Sequence, residues 1–333
     1  MNVAVPDPLQ AAIDAELAGA APGALASAAA ALIEHYAHER PSAVTDDSWH
    51  AAYLAIRLPA TYAAVVAALA RVPDARLSTI GSLLDLGAGP GTATWAALRH
   101  CDAVTTATLV DRHPTLLAIA GRLAAGAAAG RSVTMTPQVA DIGLARDWSS
   151  ADLVLAAYAL AELAPAARAA LIASAWQATT QLLVLVEPGT SAGFSHIHEA
   201  RRALLAADAH LVAPCPHHGP CPIHEGERTD DWCHFSVRVP RTRRHRQLKG
   251  GTLGYEDEKF AYLVASRVGV PAAASGRILR HPRVEKGRIA LTLCTAEGVA
   301  REVVTRRDAD AWRTARKVEW GDAWGIARAP DEP

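Results

Sequence analysis

Leu83-Leu84-Asp85-Leu86-Gly87-Ala88-Gly89-Pro90-Gly91-Thr92 reads as a buried strand that runs into a glycine-rich turn, with a helix starting at Ala93. Glycines adopt turn dihedrals closed to other residues and let a backbone approach a ligand. The spacing here is Gly-x-Gly-x-Gly. It lacks the third glycine of Gly-x-Gly-x-x-Gly, which supports a pyrophosphate, and an aspartate precedes it. The pattern therefore favours S-adenosylmethionine over a nicotinamide dinucleotide. Asp85 is expected to organise the turn, together with Gly87, Gly89 and Gly91, and to attract the ammonium of the methionine moiety. Asp111, ending the next strand at Leu109-Val110-Asp111, is placed to accept both ribose hydroxyls, and Asp141 after the third strand to accept from the adenine amino group.

Around this turn the apolar residues come in runs of four or five: Leu83 to Leu86, Thr108 to Val110, Val133 to Met135, Leu153 to Ala156 and Leu182 to Val186. Buried parallel strands look like this, and the alanine-rich spacers are long enough for crossover helices. The expected fold is α/β, a Rossmann-like class I methyltransferase sheet. Upstream the period is helical, with Leu9, Ile13 and Leu17 on one face, Leu25, Leu32 and Tyr36 on a second, and Trp49, Tyr53 and Ile56 on a third. Pro59 restarts the helix at its first turn. Downstream, Phe260 to Ala265 reads as a strand, Arg277 to Val304 as a hairpin around Glu297-Gly298, and Ala309 to Val318 as a short helix. The division expected is a helical region 1–78, a Rossmann-like domain 79–270 carrying a Cys/His-rich and basic insertion at 211–254, and a β-rich extension 271–333.

The 333 residues are 50% hydrophobic and 20% charged, a globular composition that excludes a disordered or collagen-like chain. Five cysteines are too few for a secreted disulfide framework. Met1 to Glu39 carries Asp7, Asp14, Glu16 and Glu34 before the first arginine, Arg40, unlike a signal or transit peptide, and a cytoplasmic monomer without a membrane span is expected. Net charge is −1, but residues 1–200 carry −7 and residues 201–333 carry +6, so a surface for an acidic partner belongs late in the chain.

The end of the fourth strand, Ala156-Ala157-Tyr158-Ala159-Leu160-Ala161-Glu162, lacks both the Asn/Asp-Pro-Pro-aromatic turn of amino-directed methyltransferases and a nucleophilic cysteine. Tyr158 and Glu162 are the catalytic candidates, with packing and capping as the plainer roles. Four of the five cysteines fall after residue 210: Cys215, Cys221, Cys233 and Cys294. The gaps are irregular and proline-rich, without the paired Cys-x-x-Cys knuckles of zinc sites, which suits an iron–sulfur cluster whose ligands need only converge in space. His217, His218, His224 and His234 keep zinc open. Cys101 reads as a buried structural thiol. Between Ser236 and Gly251 no acid interrupts Arg238, Arg241, Arg243, Arg244, Arg246 and Lys249, a run able to grip successive phosphates of RNA.

These pieces together resemble the mitochondrial small-ribosomal-subunit methyltransferase-like proteins and their bacterial relatives. The likeness is carried by Arg57-Leu58-Pro59-Ala60-Thr61-Tyr62, the Asp85 to Thr92 turn, Glu187-Pro188-Gly189-Thr190, the Cys215 to Cys233 loop with its Trp232-Cys233-His234-Phe235, Tyr255-Glu256-Asp257-Glu258-Lys259-Phe260, and Leu293-Cys294-Thr295. The resemblance implies a four-iron cluster on Cys215, Cys221, Cys233 and Cys294. It also implies association with the small ribosomal subunit or its precursor and contact with its RNA, in support of assembly and translation. Methyl transfer to that RNA is the implied chemistry. The alternatives are a non-catalytic RNA-binding assembly factor and a zinc-containing methyltransferase with a small-molecule or protein acceptor.

Overall fold

The computed structural model describes residues 1–37, 46–127, 132–144, 146–226, 231–269 and 274–325. Its helical prefix consists of α1 (Asp7–Glu16), α2 (Pro22–Ala37), α3 (Asp47–Ala52), a π-helical turn at Tyr53–Arg57, α4 (Leu58–Leu69) and α5 (Asp74–Leu77). Asp46 caps α3, its carboxylate accepting from the Trp49 N–H at 2.9 Å. Every residue of α4 is buried, which is why the helix is apolar all round. The stretch Asp47–Leu69 is long and apolar enough to cross a membrane, yet it is spent almost entirely inside this protein.

The apolar runs then become strands: β1 (Ser82–Leu86), β2 (Thr106–Asp111), β3 (Thr134–Val139), β4 (Ala151–Ala157) and β5 (Thr179–Pro188). Between them lie α6 (Thr92–Leu98), α7 (Pro114–Ala127) and α8 (Pro165–Ala178), and after β5 come α9 (Ser191–Ala206), β6 (His210–Ala213), β7 (Phe235–Pro240), α10 (Arg243–Leu248) and β8 (Tyr255–Ser266). The strand order is β3-β2-β1-β4-β5-β8-β6 with β7 also on β8; β1 to β5 run parallel and β8 antiparallel to β5. This is the class I methyltransferase sheet the glycine turn leads one to expect. Alternation along each strand sends Leu83, Leu109 and Leu153 to the face covered by the prefix, α6 and α7. Leu84, Val110 and Val154 go to the face covered by α8 and α9.

The segment that reads as an insertion is woven into this sheet. Phe235–Pro240 pairs with the first half of β8, and His210–Ala213 with its last residues. Only Phe260 onward looks like a strand in the sequence, because Glu256, Asp257, Glu258 and Lys259 are too charged to suggest one. A second sheet, β10-β11-β9-β13 with β12 on β11, is built from β9 (Gly276–Ile278), β10 (Arg283–Glu285), β11 (Arg288–Thr295), β12 (Gly298–Thr305) and β13 (Ala323–Trp324), with α11 (Ala309–Ala315) after β12.

Candidate functional site

Strand order reverses at β1, which pairs with β2 on one side and β4 on the other, and a crevice opens at such a point beyond the strand ends. Here it is an open cleft whose lining includes Gly87, Gly89, Asp111, Asp141, Tyr158 and Glu162. Gly89 has φ +53°, and a Cβ there would meet nothing nearer than Leu116 Cδ1 at 4.0 Å, so the position is open toward the cleft. Gly91 does a different job: with φ +78° and a virtual Cβ 3.0 Å from Leu109 Cδ2, it lets the chain turn tightly into α6. Asp111 accepts from the Gly89 N–H through Oδ2 and from the His113 N–H through Oδ1, both at 2.8 Å. Each oxygen keeps a lone pair for a ligand hydroxyl. Asp141 accepts from the Gly143 N–H at 2.8 Å.

Asp85 does not line the cleft. Its Oδ2 accepts from both the N–H and the hydroxyl of Thr94, at 2.9 and 2.7 Å, pinning the start of α6. Burial pushes its carboxyl up to about 6, against the Thr94 hydrogen bonds that pull it down. A carboxyl whose folded value lies above its unfolded 3.8 contributes stability that is present below that value and lost as pH rises through about 6. Asp85→Asn is therefore expected to flatten the fall in stability between pH 4 and 7, read from urea midpoints; an unchanged pH profile would refute it.

On the acceptor side Tyr158 takes φ 57°, a left-handed conformation unusual for an aromatic residue, with its N–H held by the Val186 carbonyl at 2.7 Å. Its hydroxyl donates to Glu258 Oε1 at 2.8 Å, and Arg57 reaches the same oxygen at 3.4 Å while lying 5.0 Å from the Tyr158 ring centroid. Burial, reinforced by Glu258, holds the phenol well above its usual range, so it stays protonated. The following turn is fixed by buried Glu187, which accepts from the Leu160 and Ala161 N–H groups at 2.9 and 3.1 Å. Glu162 is pushed up by burial, with Arg112 at 3.4 Å opposing. The sequence reading missed Trp49, His50 and Tyr53, which the prefix contributes to the cleft wall. Their helical spacing suggests core, and nothing in it shows that the helix ends over a glycine turn. His50 Nδ1 is buried without a hydrogen-bond partner, and burial lowers the imidazole's pKa, leaving a neutral ring at the site.

On the other side of β8, Cys215, Cys221, Cys233 and Cys294 line one small, mostly apolar cavity. Burial raises the Cys215 and Cys233 thiols and takes Cys294 to about 12, and the four sulfurs repel one another's charge. Two buried arginines oppose that. Arg201 donates to the His217 and Gly219 carbonyls at 3.3 and 2.5 Å, and Arg277 to the Pro214 carbonyl at 2.7 Å. His217 Nε2 lies 3.7 Å from Cys294 Sγ. Among the described residues no group of three or more His, Cys, Asp or Glu side chains is placed to hold a metal ion, so the thiols share a cavity without closing on one point. Cys101 lies apart, fully buried in the core.

The basic run is split by its surroundings. Arg241 and Lys249 reach Glu256 Oε2 at 2.9 and 2.7 Å, and His245 approaches Oε1 at 3.2 Å. Burial alone would raise the Glu256 carboxyl, but these donors hold it far below the usual range. Arg238 pairs with Asp257 at 2.9 Å and stacks over Tyr255, and Arg244 sits 3.8 Å from Asp14. Arg243 and Arg246 are exposed and pair with no described acid. What reads as six neighbouring cations therefore presents few to a partner.

Residues 47–325 match the family model described as mitochondrial small ribosomal subunit Rsm22. The chain is 29% identical over 296 residues to a Homo sapiens protein named ribosome assembly protein METTL17, mitochondrial, covering 81% of this chain and 61% of that one. It is 28% identical over 184 residues to the Schizosaccharomyces pombe Rsm22-cox11 tandem protein 2, mitochondrial, covering 44% of this chain and 24% of that one. The chain thus spans about three fifths, or less, of the length of these relatives. Among solved structures, magnesium protoporphyrin IX methyltransferase from Synechocystis aligns at TM-score 0.41 and 13% identity, over 71% of this chain and 94% of that one. An O-methyltransferase family protein from Burkholderia thailandensis aligns at 0.42 and 17%, over 67% and 59%. The family and both relatives are named mitochondrial, which corrects the cytoplasmic expectation. That expectation rested on the charges of the first 39 residues, and these describe one segment rather than the compartment in which a fold works. With well over half its length matched, the chain belongs to the Rsm22 family of mitochondrial small-ribosomal-subunit proteins.

Proposed function

We propose that this chain is an S-adenosylmethionine-binding, iron–sulfur-containing, methyltransferase-like protein that acts on small-subunit ribosomal RNA during ribosome assembly. The observation that carries the cofactor reading is the convergence of open Gly89, Asp111 with its spare lone pairs, and Asp141 on one cleft. Gly87 and Gly89 would let the methionine chain pass, Asp111 would hold the ribose and Asp141 would face the adenine. When bound, the cofactor supplies an electrophilic methyl group. Tyr158, Glu162 and His50 would then position an acceptor, and Glu187 keeps the turn beneath it in shape. The ribosomal partner rests on the family and on the name of its human relative.

The thiol cavity supports the cluster by its chemistry. Four thiols lining one cavity are the donor set that an iron–sulfur cluster takes. Arg201 and Arg277 would offset the negative charge of such a centre. Arg277→Gln is expected to reduce iron retention during purification, with Arg277→Lys intermediate; equal iron in all three proteins would remove Arg277 from this role.

One observation favours the non-catalytic alternative: the Tyr158 hydroxyl already donates to Glu258, which Arg57 holds in turn. Purified protein, S-adenosylmethionine and precursor small-subunit particles decide between the two. Steady release of S-adenosylhomocysteine establishes methyl transfer, binding without release establishes a cofactor that only stiffens the fold, and no binding defeats the cofactor reading.

A further inference from the structure

The smaller sheet has a face that neither site uses apart from its edge at Cys294. In antiparallel strands, directly opposed residues share a face. Arg283 opposes Ala290, which opposes Val303; Thr292 opposes Arg301; Arg288 opposes Thr305. The alternate residues Ile289, Leu291 and Leu293 turn the other way, into a small core with Trp324. At the end of β10, Lys286 occupies the turn into β11, and Arg306 and Arg307 follow β12 beside Arg288. Arg283, Lys286, Arg288, Arg301, Arg306 and Arg307 are all exposed. Of these six, only Arg288 pairs with a described acid, Glu285. The other nearby acids are occupied elsewhere: Glu302 accepts from Trp324 Nε1 at 2.8 Å and Asp308 caps α11.

We propose that this face is an RNA-docking surface that grips the phosphate backbone, an inference that rests on the RNA role proposed above and relocates its main contact from the basic run to the second sheet. Three chain segments, 283–288, 301 and 306–307, are brought together only by strand pairing, so no charge run in the sequence marks the patch. Five of the six cations are arginines, whose planar forks match phosphate oxygens. Between the strand cations lie Ala290, Val299 and Val303, and the one ring beside the patch, Trp312, lies under Arg306 at 5.7 Å, so the strand face reads backbone in preference to sequence. The same face continues to Cys294 opposite Arg277, at the wall of the thiol cavity. Docked RNA would therefore lie beside that cavity.

The test is fluorescence anisotropy with the full chain as isolated and a labelled small-subunit ribosomal RNA transcript, measured across a salt series. The triple variant R283A/R301A/R307A is expected to bind at least 10-fold more weakly and to flatten the slope of log affinity against log salt by about two. The R283K/R301K/R307K variant should keep most of the slope, and R243A/R246A on α10 should change it less. Because the three arginines are exposed, melting temperatures should stay together, which separates lost contact from lost fold. Unchanged affinity in R283A/R301A/R307A alongside a large loss in R243A/R246A would overturn this assignment and return the contact to the basic run. Displacement by polyglutamate as readily as by unlabelled RNA would assign the face to an acidic protein and overturn it as well. A wild-type chain that does not bind the transcript would instead defeat the RNA role itself.

Discussion

Gly89→Leu is expected to weaken S-adenosylmethionine binding by at least about 100-fold, roughly 2.7 kcal/mol, while leaving a folded protein. The two halves of that result have separate causes. The Gly89 Cβ position is open, with Leu116 Cδ1 at 4.0 Å as its nearest neighbour, so a side chain finds room, but the room is the cleft itself. The φ of +53° adds about 1 kcal/mol of backbone strain, too little to unfold a domain of this size. Gly91→Leu is the contrasting variant. Its Cβ would stand 3.0 Å from Leu109 Cδ2 and 3.3 Å from Trp95 Nε1, at φ +78°, so it should lower the melting temperature first and lose cofactor as a consequence. Isothermal titration calorimetry with parallel thermal unfolding reads both. Wild-type affinity in Gly89→Leu would move the cofactor site away from this turn.

The difference between these two glycines marks the limit of what the sequence discloses. A Gly-x-Gly-x-Gly turn after a buried strand announces the α/β sheet and the place of a cleft, because both follow from local chain geometry. It does not say which glycine faces the ligand, or that Asp85 points back at Thr94 while Asp111 points forward. The prefix is harder still. Trp49 and Tyr53 fall on a helical stripe, and a stripe reads as core whether it packs on the sheet or overhangs a cleft. Tyr158 stands in a left-handed turn where a sequence reader expects glycine, and its partners Arg57 and Glu258 are a hundred residues or more away. The basic run misleads in the opposite direction. Charges adjacent in sequence look like a surface, but Glu256 on the neighbouring strand neutralises Arg241 and Lys249, and that strand is hidden from pattern reading by the very acids that do so. The four cysteines were legible as a group through their rarity and position. Their sharing of one cavity depends on two β-sheets meeting there, which spacing cannot show.

If the proposed cluster is bound, Cys221→Ser should lose it and be destabilised by about 4 kcal/mol or more, the scale of losing a bound centre. Cys221 is buried at the thiol cavity and sits in the core cluster that covers β5 and β8, so the loop it anchors is part of the sheet's packing. Wild-type protein purified without oxygen is expected to carry about four irons and four acid-labile sulfides, and Cys221→Ser fewer than about one of each. Cys101→Ser serves as the control: that thiol is equally buried, far from the cavity, and should keep the full load. The loss should reach the cofactor cleft in weakened form. Trp232, next to Cys233, donates its indole N–H to the Gly189 carbonyl at 2.9 Å, and Gly189 is packed so tightly on Lys259 that a Cβ would come within 2.6 Å of it. Glu187, two residues earlier, holds the turn under the acceptor side. Cofactor affinity in Cys221→Ser should therefore fall severalfold rather than vanish. Full iron retention in Cys221→Ser would remove it from the ligand set. One zinc and no sulfide in the wild type would replace the cluster with a zinc site.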